Sequence, residues 1–335
     1  MSALTPAGKL SDVAVVAIGR NEGDRLPRCL QSVADRVAVV IYVDSGSTDD
    51  SVAMARASGA RVVELDMQSP FTAARARNAG FEAIGAARAA IRFVQFIDGD
   101  CEIESGWLTI ARDHLASHPK SVGVFGRRRE RFPEVSVYNR LCDEEWDVPH
   151  GVVKSCGGDV MLRASAFEDV GGYRRDMIAG EEPELCVRLR QRGGEIVCLD
   201  APMTLHDAAM KRFSQWWRRS IRSGHAFAEG AHLHGAPPER HSAEPSRRIW
   251  LWGAGVPAAT VAAVLAMGTL GDGSRDVCGP RDYTPTPLQM RITAPAGGST
   301  RKTNAGAAGA AGVAGVPVTP PLRPRVDAAD VAHVQ

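Results

Sequence analysis

Continuous apolar runs alternate with amphipathic segments in the first third of the chain. The apolar runs lie at 13–18, 37–43, 61–65 and 93–97. Short runs of this kind predict strands that are buried on both faces, as in a parallel sheet. The segments between them predict helices at 26–33, 50–57 and 73–87. This alternation predicts a doubly wound α/β domain with a mostly parallel sheet, which binds its ligands at the carboxyl ends of the strands.

The pattern becomes less regular in the second half of the chain. Strands are predicted at 121–126 and 195–199, and helices at 183–192 and 211–229. An arginine-rich segment, 127–131, follows the first of these strands and carries no apolar run of its own. It is therefore interpreted as lying outside the strand.

One long segment, 249–270, contains 22 residues and no charge. That length can span a bilayer, and Trp250 and Trp252 suit a membrane interface. A buried or surface helix is the alternative, because Ala and Gly dominate the segment and Pro257 interrupts it. We expect a membrane association, with this alternative left open.

The composition divides the chain into three parts. Residues 11–235 form the predicted α/β domain, and 236–271 form a linker and the hydrophobic segment. Residues 272–335 are a low-complexity tail, in which Ala, Gly, Pro and Val dominate. Such a composition buries too little apolar surface to offset chain entropy, so the tail is expected to be disordered.

Charge and cysteine usage narrow the class of protein. The chain has 335 residues with 40 Lys plus Arg and 39 Asp plus Glu, a formal net charge of +1. This balance argues against bulk attraction to nucleic acid. Seven dispersed cysteines without a zinc-site spacing indicate reduced thiols in the cytosol. The apolar run at 13–18 is too short for a signal peptide, so a cytoplasmic location is expected.

Acidic residues follow the predicted strands at the edge where ligands bind. Asp98 and Asp100 close the strand at 93–97, and Asp44 closes the strand at 37–43. Two carboxylates one residue apart repel each other unless a cation lies beside them, and a hard divalent ion bound to phosphates is the natural partner. The turn after Asp44, with Ser47, precedes a helix N-terminus and suits polar ligand groups, although the same residues can simply cap the helix.

Several other polar residues have both a ligand-binding and a structural interpretation. Arg20 and Glu22 follow the first strand and contact either a nucleotide or each other. Arg77 lies on a predicted helix, where it serves phosphates, the acidic cluster or solvent. Glu181 and Glu182 open a helix, where carboxylates favour the helix dipole and where one of them can deprotonate an acceptor hydroxyl.

Two further positions complete the candidate chemistry. Gly158 and Asp159 precede a short apolar stretch and are candidates for an acceptor pocket. His206 follows a predicted strand and is either a metal ligand or a structural histidine. The chain lacks GxGxxG after its first strand and also lacks GxxxxGK[ST], HExxH and GxSxG. These absences disfavour a dinucleotide oxidoreductase, a P-loop NTPase, a zincin and an α/β-hydrolase.

The ordered set of these segments resembles the family 2 glycosyltransferases, which have the nucleotide-sugar-binding fold called GT-A. The resemblance covers roughly 11–230 and rests on the segments 18–22, 43–49, 76–80, 98–100, 157–159 and 180–185. It implies an inverting transfer from a nucleotide diphosphate sugar, with UDP-sugars favoured, to an acceptor hydroxyl. It also implies Mn²⁺ or Mg²⁺ and a glycan or lipid-linked acceptor at the cytosolic face of the membrane.

The resemblance also implies roles for individual residues. The catalytic base is Glu182 or Glu181, and Asp100 is a metal ligand, to which the position of His206 after a strand adds a second candidate ligand. Gly158, Asp159 and Trp217 are the candidates for acceptor binding. The segment 215–219, which contains Trp217, matches the motif of processive synthases only in part. Nucleotide-sugar binding is assigned to Arg20, Asn21, Glu22, Asp44, Ser47, Arg77 and Asp98. A sugar-nucleotide nucleotidyltransferase and a non-catalytic, membrane-tethered binding module remain the alternative functions.

Overall fold

The structure, a computed structural model, describes residues 8–272, with side chains from 8 to 267. Within this range the chain forms nine strands and ten α-helices. The strands are β1 (Leu10–Gly19), β2 (Val37–Asp44), β3 (Arg61–Glu64), β4 (Phe93–Asp98), β5 (Cys101–Ile103), β6 (Ser121–Glu130), β7 (Gly151–Val153), β8 (Val160–Arg163) and β9 (Glu195–His206). The helices are α1 (Arg25–Val33), α2 (Ser51–Ala57), α3 (Ala73–Glu82), α4 (Trp107–Ser117), α5 (Val137–Glu145), α6 (Ala164–Asp169), α7 (Glu181–Gln191), α8 (Phe213–His234), α9 (Ala243–Trp250) and α10 (Val256–Asp272).

All nine strands belong to one sheet with the order β3-β2-β1-β4-β8-β6-β9-β5, and β7 pairs with β9. Strands β3, β2, β1 and β4 pair in parallel, as do β6 and β9. Strands β8, β5 and β7 run antiparallel to their neighbours. The predicted α/β fold with a mostly parallel central sheet is confirmed.

The core forms where the apolar runs of the sequence become central strands. Residues 13–17 of β1 are fully buried, and so are most of β4's side chains. Helix α1 covers the sheet with Leu26, Cys29, Leu30 and Val33, which recur at helical spacing and are buried. Full burial of one such aliphatic side chain stabilises the fold by roughly 1.5–3 kcal/mol.

Several predicted element boundaries need correction. The helix predicted at 73–87 ends at Glu82, and a short 3₁₀ turn covers Gly85–Ala90, because Gly85 adopts a positive φ of 59° that an α-helix does not allow. Strand β6 continues to Glu130 and so includes most of the arginine-rich segment 127–131. Strand β9 continues to His206 because it pairs with β6 as far as Glu130.

The long uncharged segment is helical. The described residues up to Ala254 belong to one compact unit, and a second unit begins at Gly255. The chain is helical from Ala243 to Met267, a stretch of 25 residues that is long and apolar enough to cross a membrane. Every side chain from 247 to 267 is exposed. Residues 273–335, which make up nearly all of the predicted tail, lie outside the described residues, as does Cys278.

Candidate active site

The sheet register brings the acidic strand ends to one edge. Gly19 pairs with Asp44 and Ile18 pairs with Asp98, so the ends of β1, β2 and β4 are level. On the other side of the sheet, His206 pairs with Cys101 of β5 and with Glu130 of β6. The carboxyl ends of parallel strands are the usual ligand-binding edge of such sheets, and the candidate residues follow these ends.

The loops after β1 and β2 are joined by side-chain hydrogen bonds. The Asn21 Oδ1 accepts from the Thr48 N–H at 2.7 Å, and the Asn21 N–H donates to Ser47 Oγ at 2.9 Å. The Gly23 N–H donates to Asp49 Oδ2 at 3.1 Å. Asn21 has a φ of +56°, a conformation that Asn adopts more readily than most residues. Asn21 and Ser47 therefore order one continuous rim beside the strand ends.

Asp44 organises the turn that follows β2. Its Oδ2 accepts from the N–H groups of Gly46 at 3.0 Å and Ser47 at 2.8 Å. Its Oδ1 accepts from the Tyr42 hydroxyl at 3.2 Å. Asp44 therefore shapes the turn, as its structural interpretation expects. The contact of Asp44 with a nucleotide stays a prediction.

Arg77 joins three carboxylates from two other elements. Its Nη1 donates to Glu182 Oε1 at 2.7 Å and to Glu181 Oε1 at 2.9 Å. Its Nη2 donates to Asp98 Oδ1 at 3.0 Å. Arg77 is only 1% exposed, so it is not the solvated arginine of the structural interpretation. Removal of a buried ionic partner of this kind typically costs about 3–5 kcal/mol, because it leaves charges unpaired in the interior.

Two carboxyl groups that bind Arg77, those of Asp98 and Glu182, hold their protons more tightly than free carboxyl groups do. Burial, followed by repulsion from Glu181, raises the pKa of Glu182 to about 8, although Arg77 opposes both effects. Burial also raises the pKa of Asp98. A carboxylate whose pKa lies near neutral pH is suited to proton transfer. The raised pKa of Glu182 is compatible with a general base, and the catalytic role of Glu182 or Glu181 stays a prediction.

Asp100 and His206 form a second pair beside this cluster. The Nε2 of His206 lies 3.3 Å from Asp100 Oδ2, and Arg25 Nη1 lies 3.9 Å from the same oxygen. Burial favours the neutral form of Asp100, but His206 and Arg25 hold its pKa below the usual range. Burial lowers the pKa of His206, but Asp100 and Glu130 outweigh it and raise that pKa to about 9.

The donor atoms of this pair fit a divalent cation. Ligand atoms of Asp100, Cys101 and His206 all lie within 4.8 Å of one another. Carboxylate oxygen and imidazole nitrogen are suitable ligands for Mn²⁺, whereas burial holds the pKa of the Cys101 thiol well above its usual range. Asp100 and His206, rather than Cys101, are therefore the candidate ligands.

Asp159 and Gly158 lie in the interior behind Asp98. The Oδ2 of Asp159 accepts from the Thr204 hydroxyl at 2.8 Å and pairs with Arg128 at 2.8 Å. Its Oδ1 accepts from the Asp98 N–H at 3.2 Å. Gly158 and Asp159 are buried. These contacts support the position of Asp98, and the acceptor-binding role of both residues stays a prediction.

The remaining candidates lie at the periphery. Glu22 pairs with Arg25 at 2.9 Å, and burial followed by repulsion from Asp100 raises the pKa of Glu22 to about 7. Arg20 is exposed, and its N–H donates to Glu22 Oε1 at 3.2 Å. Trp217 lies on α8, exposed and stacked against Phe213 at 5.9 Å. The contacts of Trp217 with an acceptor stay a prediction.

Two buried residues of the site, Arg128 and Glu130, are absent from the sequence-based candidates. Both lie on the part of β6 that is predicted from the sequence to lie outside a strand. The sequence carries no local signal for them, since 127–130 are all charged and the alternation of buried Arg128 and Glu130 with more exposed neighbours is seen only in the structure. Because the buried positions are charged, a search for apolar runs misses this alternation.

Comparisons with known proteins agree with this geometry. Residues 14–168 match the family described as Glycosyl transferase family 2. A pre-mycofactocin glycosyltransferase of Mycobacterium tuberculosis is 30% identical over 213 residues, which cover 58% of this chain and 43% of that protein. A TPR repeat-containing protein of Synechococcus elongatus is 33% identical over 132 residues, covering 39% of this chain and 31% of that protein. The chain thus spans less than half the length of both curated relatives.

A solved structure with a similar fold is the mannosyltransferase PcManGT of Pyrobaculum calidifontis, in complex with GDP-Man and Mn²⁺. It superposes with a TM-score of 0.50 at 20% identity, over 78% of this chain and 81% of that chain. This likeness concerns the fold alone. Residues 14–168 therefore resemble glycosyl transferase family 2, and the chain has the GT-A fold that the sequence predicts.

Proposed function

We propose that this protein is an inverting glycosyltransferase that moves a sugar from a nucleotide diphosphate sugar, most favourably a UDP-sugar, to an acceptor hydroxyl. The observation that carries the proposal is the convergence at Arg77. One buried guanidinium binds Asp98 at the end of β4 and both Glu181 and Glu182 at the start of α7. Donor-side and base-side carboxylates are thereby held in one cluster. The family match and the GDP-Man complex of PcManGT support this proposal.

The donor would bind at the rim formed by the loops after β1 and β2. The polar residues at this rim would offer hydrogen-bond donors and acceptors to a base and a ribose; they are Arg20, Asn21, Glu22, Asp44 and Ser47. Asp98 would bind the ribose, since its buried Oδ2 has no hydrogen-bond donor among the described residues and lies 3.6 Å from Arg128.

Asp100 and His206 would hold Mn²⁺ or Mg²⁺ beside the donor diphosphate. When bound, such an ion supplies Lewis-acid stabilisation of the departing diphosphate. The mannosyltransferase with a similar fold was solved with Mn²⁺. Arg25, close to Asp100, adds positive charge on the same side of the site.

Glu182 would act as the base. Its carboxylate accepts the proton of the acceptor hydroxyl while that oxygen forms a bond to the anomeric carbon of the donor sugar. The bond from this carbon to the diphosphate oxygen breaks on the opposite face, so one displacement inverts the configuration. Glu181 would then tune Glu182, because it is the second cause of the raised Glu182 pKa.

The acceptor would be a glycan or a lipid-linked saccharide at the cytosolic face of a membrane. The apolar helix from Ala243 to Met267 supports this location by length and composition. Gly158, Asp159 and Trp217 would line the acceptor side. The domain limits 11–235, 236–271 and 272–335 belong to the same proposal.

The test combines ligand binding with turnover on the purified full chain. UDP-sugars and GDP-sugars are screened for thermal stabilisation with and without Mn²⁺, because a ligand that binds the folded state raises its stability. We expect stabilisation that needs Mn²⁺, with release of the nucleoside diphosphate when acceptor is present. The variant Asp100→Ala should lose both, whereas Asp113→Ala, on an exposed carboxylate of α4, should keep both.

Other outcomes would favour the alternative functions. Release of pyrophosphate from a nucleoside triphosphate and a sugar phosphate would indicate a nucleotidyltransferase. Donor binding that is never followed by transfer would indicate a binding module. Normal turnover by Asp100→Ala in the presence of EDTA would contradict the metal role.

A further inference from the structure

Glu130 lies directly behind His206, on the side of the imidazole ring opposite Asp100. It is the last residue of β6, and its side chain has no exposed surface. The Glu130 Oε2 is 3.4 Å from His206 Nδ1, whereas the Asp100 Oδ2 is 3.3 Å from His206 Nε2. The two ring nitrogens therefore face two different carboxylates, one toward the site and one toward the interior.

The carboxylate of Glu130 is fixed by three donors besides His206. Its Oε1 accepts from the Phe132 N–H at 3.2 Å and from Asn139 Nδ2 at 3.1 Å. Its Oε2 accepts from the Ala208 N–H at 3.1 Å. A carboxylate with this many fixed donors has a defined orientation, and its remaining acceptor direction faces His206 Nδ1.

The plane of the His206 ring is fixed as well. Trp146 packs against it edge to face, with ring centroids 4.7 Å apart at 78°. Trp146 is buried and lies under the Arg128 guanidinium, 5.2 Å from its ring centre. Because the ring plane is fixed, the availability of the Nε2 lone pair depends on which ring nitrogen carries the proton.

We propose that Glu130 is a positioning residue that accepts the Nδ1 hydrogen of His206, so that Nε2 is the ring nitrogen that gives up its proton and binds a divalent cation together with Asp100. This inference rests on the proposed function for its cation. A histidine that binds a metal commonly donates its other N–H to a carboxylate, which fixes the tautomer and makes the ligand more basic. Glu130 touches neither ion nor substrate, and it acts through His206.

The variants Glu130→Gln and Asn139→Ala separate this role from a structural one. In Glu130→Gln, an amide NH₂ replaces one oxygen, so the group either donates to Nδ1 or leaves it without an acceptor. Asn139→Ala removes a different partner of Glu130 and a bond to the Met210 N–H, but it leaves the Glu130–His206 contact in place. It is the matched control for lost packing and lost loop hydrogen bonds.

Two readouts are measured on the full chain, besides activity. Electron paramagnetic resonance of free Mn²⁺ gives the Mn²⁺ affinity, and ¹⁵N shifts of labelled histidine give the tautomer of His206, with Mg²⁺ as the diamagnetic ion. We expect Glu130→Gln to weaken Mn²⁺ binding by about 10–100-fold and to shift the proton toward Nε2. Asn139→Ala should lower thermal stability and leave both readouts near those of the unaltered chain.

The inference is overturned if Glu130→Gln binds Mn²⁺ as tightly as the unaltered chain and keeps its tautomer. If Glu130→Gln does not fold, the unaltered chain still tests the inference. The proposal requires the neutral imidazole of His206 to carry its proton on Nδ1, and a proton on Nε2 would overturn it. If the unaltered chain binds no Mn²⁺, the metal part of the proposed function fails. The tautomer of His206 in the metal-free chain, recorded above its pKa of about 9 so that the ring is neutral, still tests Glu130.

Discussion

Arg77 is the residue that makes one site out of acidic segments that are far apart in the sequence. Glu181 and Glu182 follow Asp98 by 83 and 84 positions along the chain, yet each of the three binds the same guanidinium. A planar guanidinium can serve several carboxylates at once, which a lysine ammonium does with less geometric specificity. Arg77 thereby stabilises the charges while burial keeps the pKa of Glu182 high.

The pH dependence of Glu181→Gln distinguishes the two candidate bases. A protonated Glu182 cannot accept a proton, so kcat/KM of the unaltered enzyme should rise as pH increases through about 8. Burial is the first cause of this raised pKa and the charge of Glu181 is the second, so Glu181→Gln should move the rise to lower pH while the enzyme stays active. The measurement is a pH profile of kcat/KM.

Glu182→Gln supplies the comparison for that profile. It removes the proposed base, so we expect the rate to fall by roughly 10²–10⁴-fold and the rise with pH to disappear. If instead Glu181→Gln is inactive and Glu182→Gln keeps most of its activity, the roles of the two residues are reversed.

At the scale of elements, helix α3 packs closely on the sheet because Gly80 lacks a side chain. A Cβ atom at Gly80 would collide with Val16 of β1 and would lie 2.9 Å from Val43 Cγ2 of β2. This approach brings Arg77, one turn earlier on the same helix, to the ends of the strands. The segment 76–80 thus combines a charged ligand of the cluster with the contact that positions it.

The substitution Gly80→Ala should therefore destabilise the protein by about 1–3 kcal/mol, as overpacking of a core typically does. Gly224→Ala is the matched control, because a Cβ atom at Gly224 of α8 would meet no other atom within 4 Å. Ala favours a helix over Gly by roughly 0.5–1 kcal/mol, so this variant should be unchanged or slightly more stable. Urea unfolding followed by tryptophan fluorescence measures both, and equal stabilities would contradict the close approach.

Strands with apolar runs can be predicted from the sequence, whereas a strand segment whose buried face is charged cannot be found by a search for apolar runs. The predicted limits of β1, β2 and β4 agree with the structure within a few residues, since their side chains are almost all apolar. Strand β6 is predicted to end before Arg127, because its buried face carries Arg128 and Glu130. Their burial depends on partners from β9 and on Asp159, and pairing between distant segments leaves no local pattern.

At the scale of the whole molecule, the chain contains an α/β domain, which matches family 2 over residues 14–168, and an apolar helix. The two parts have opposite surface chemistry. The domain is rich in ion pairs, whereas every described side chain from 249 to 267 is uncharged and exposed. A helix whose residues 249–267 are uncharged and exposed is unfavourable in water and suits the hydrocarbon core of a bilayer. We therefore expect the location of the protein to depend on this helix.

The double variant Val261→Asp with Val264→Asp tests that dependence. Both residues are exposed on α10, and an aspartate near the centre of a spanning helix costs about 2.5–3.5 kcal/mol on insertion scales. We expect the unaltered chain to stay with membranes after a carbonate wash and the double variant to move to the supernatant. Val135→Asp with Val152→Asp, at exposed positions of the domain, adds the same charge and should leave the chain with the membrane. An unaltered chain found in the supernatant would rule out the spanning helix.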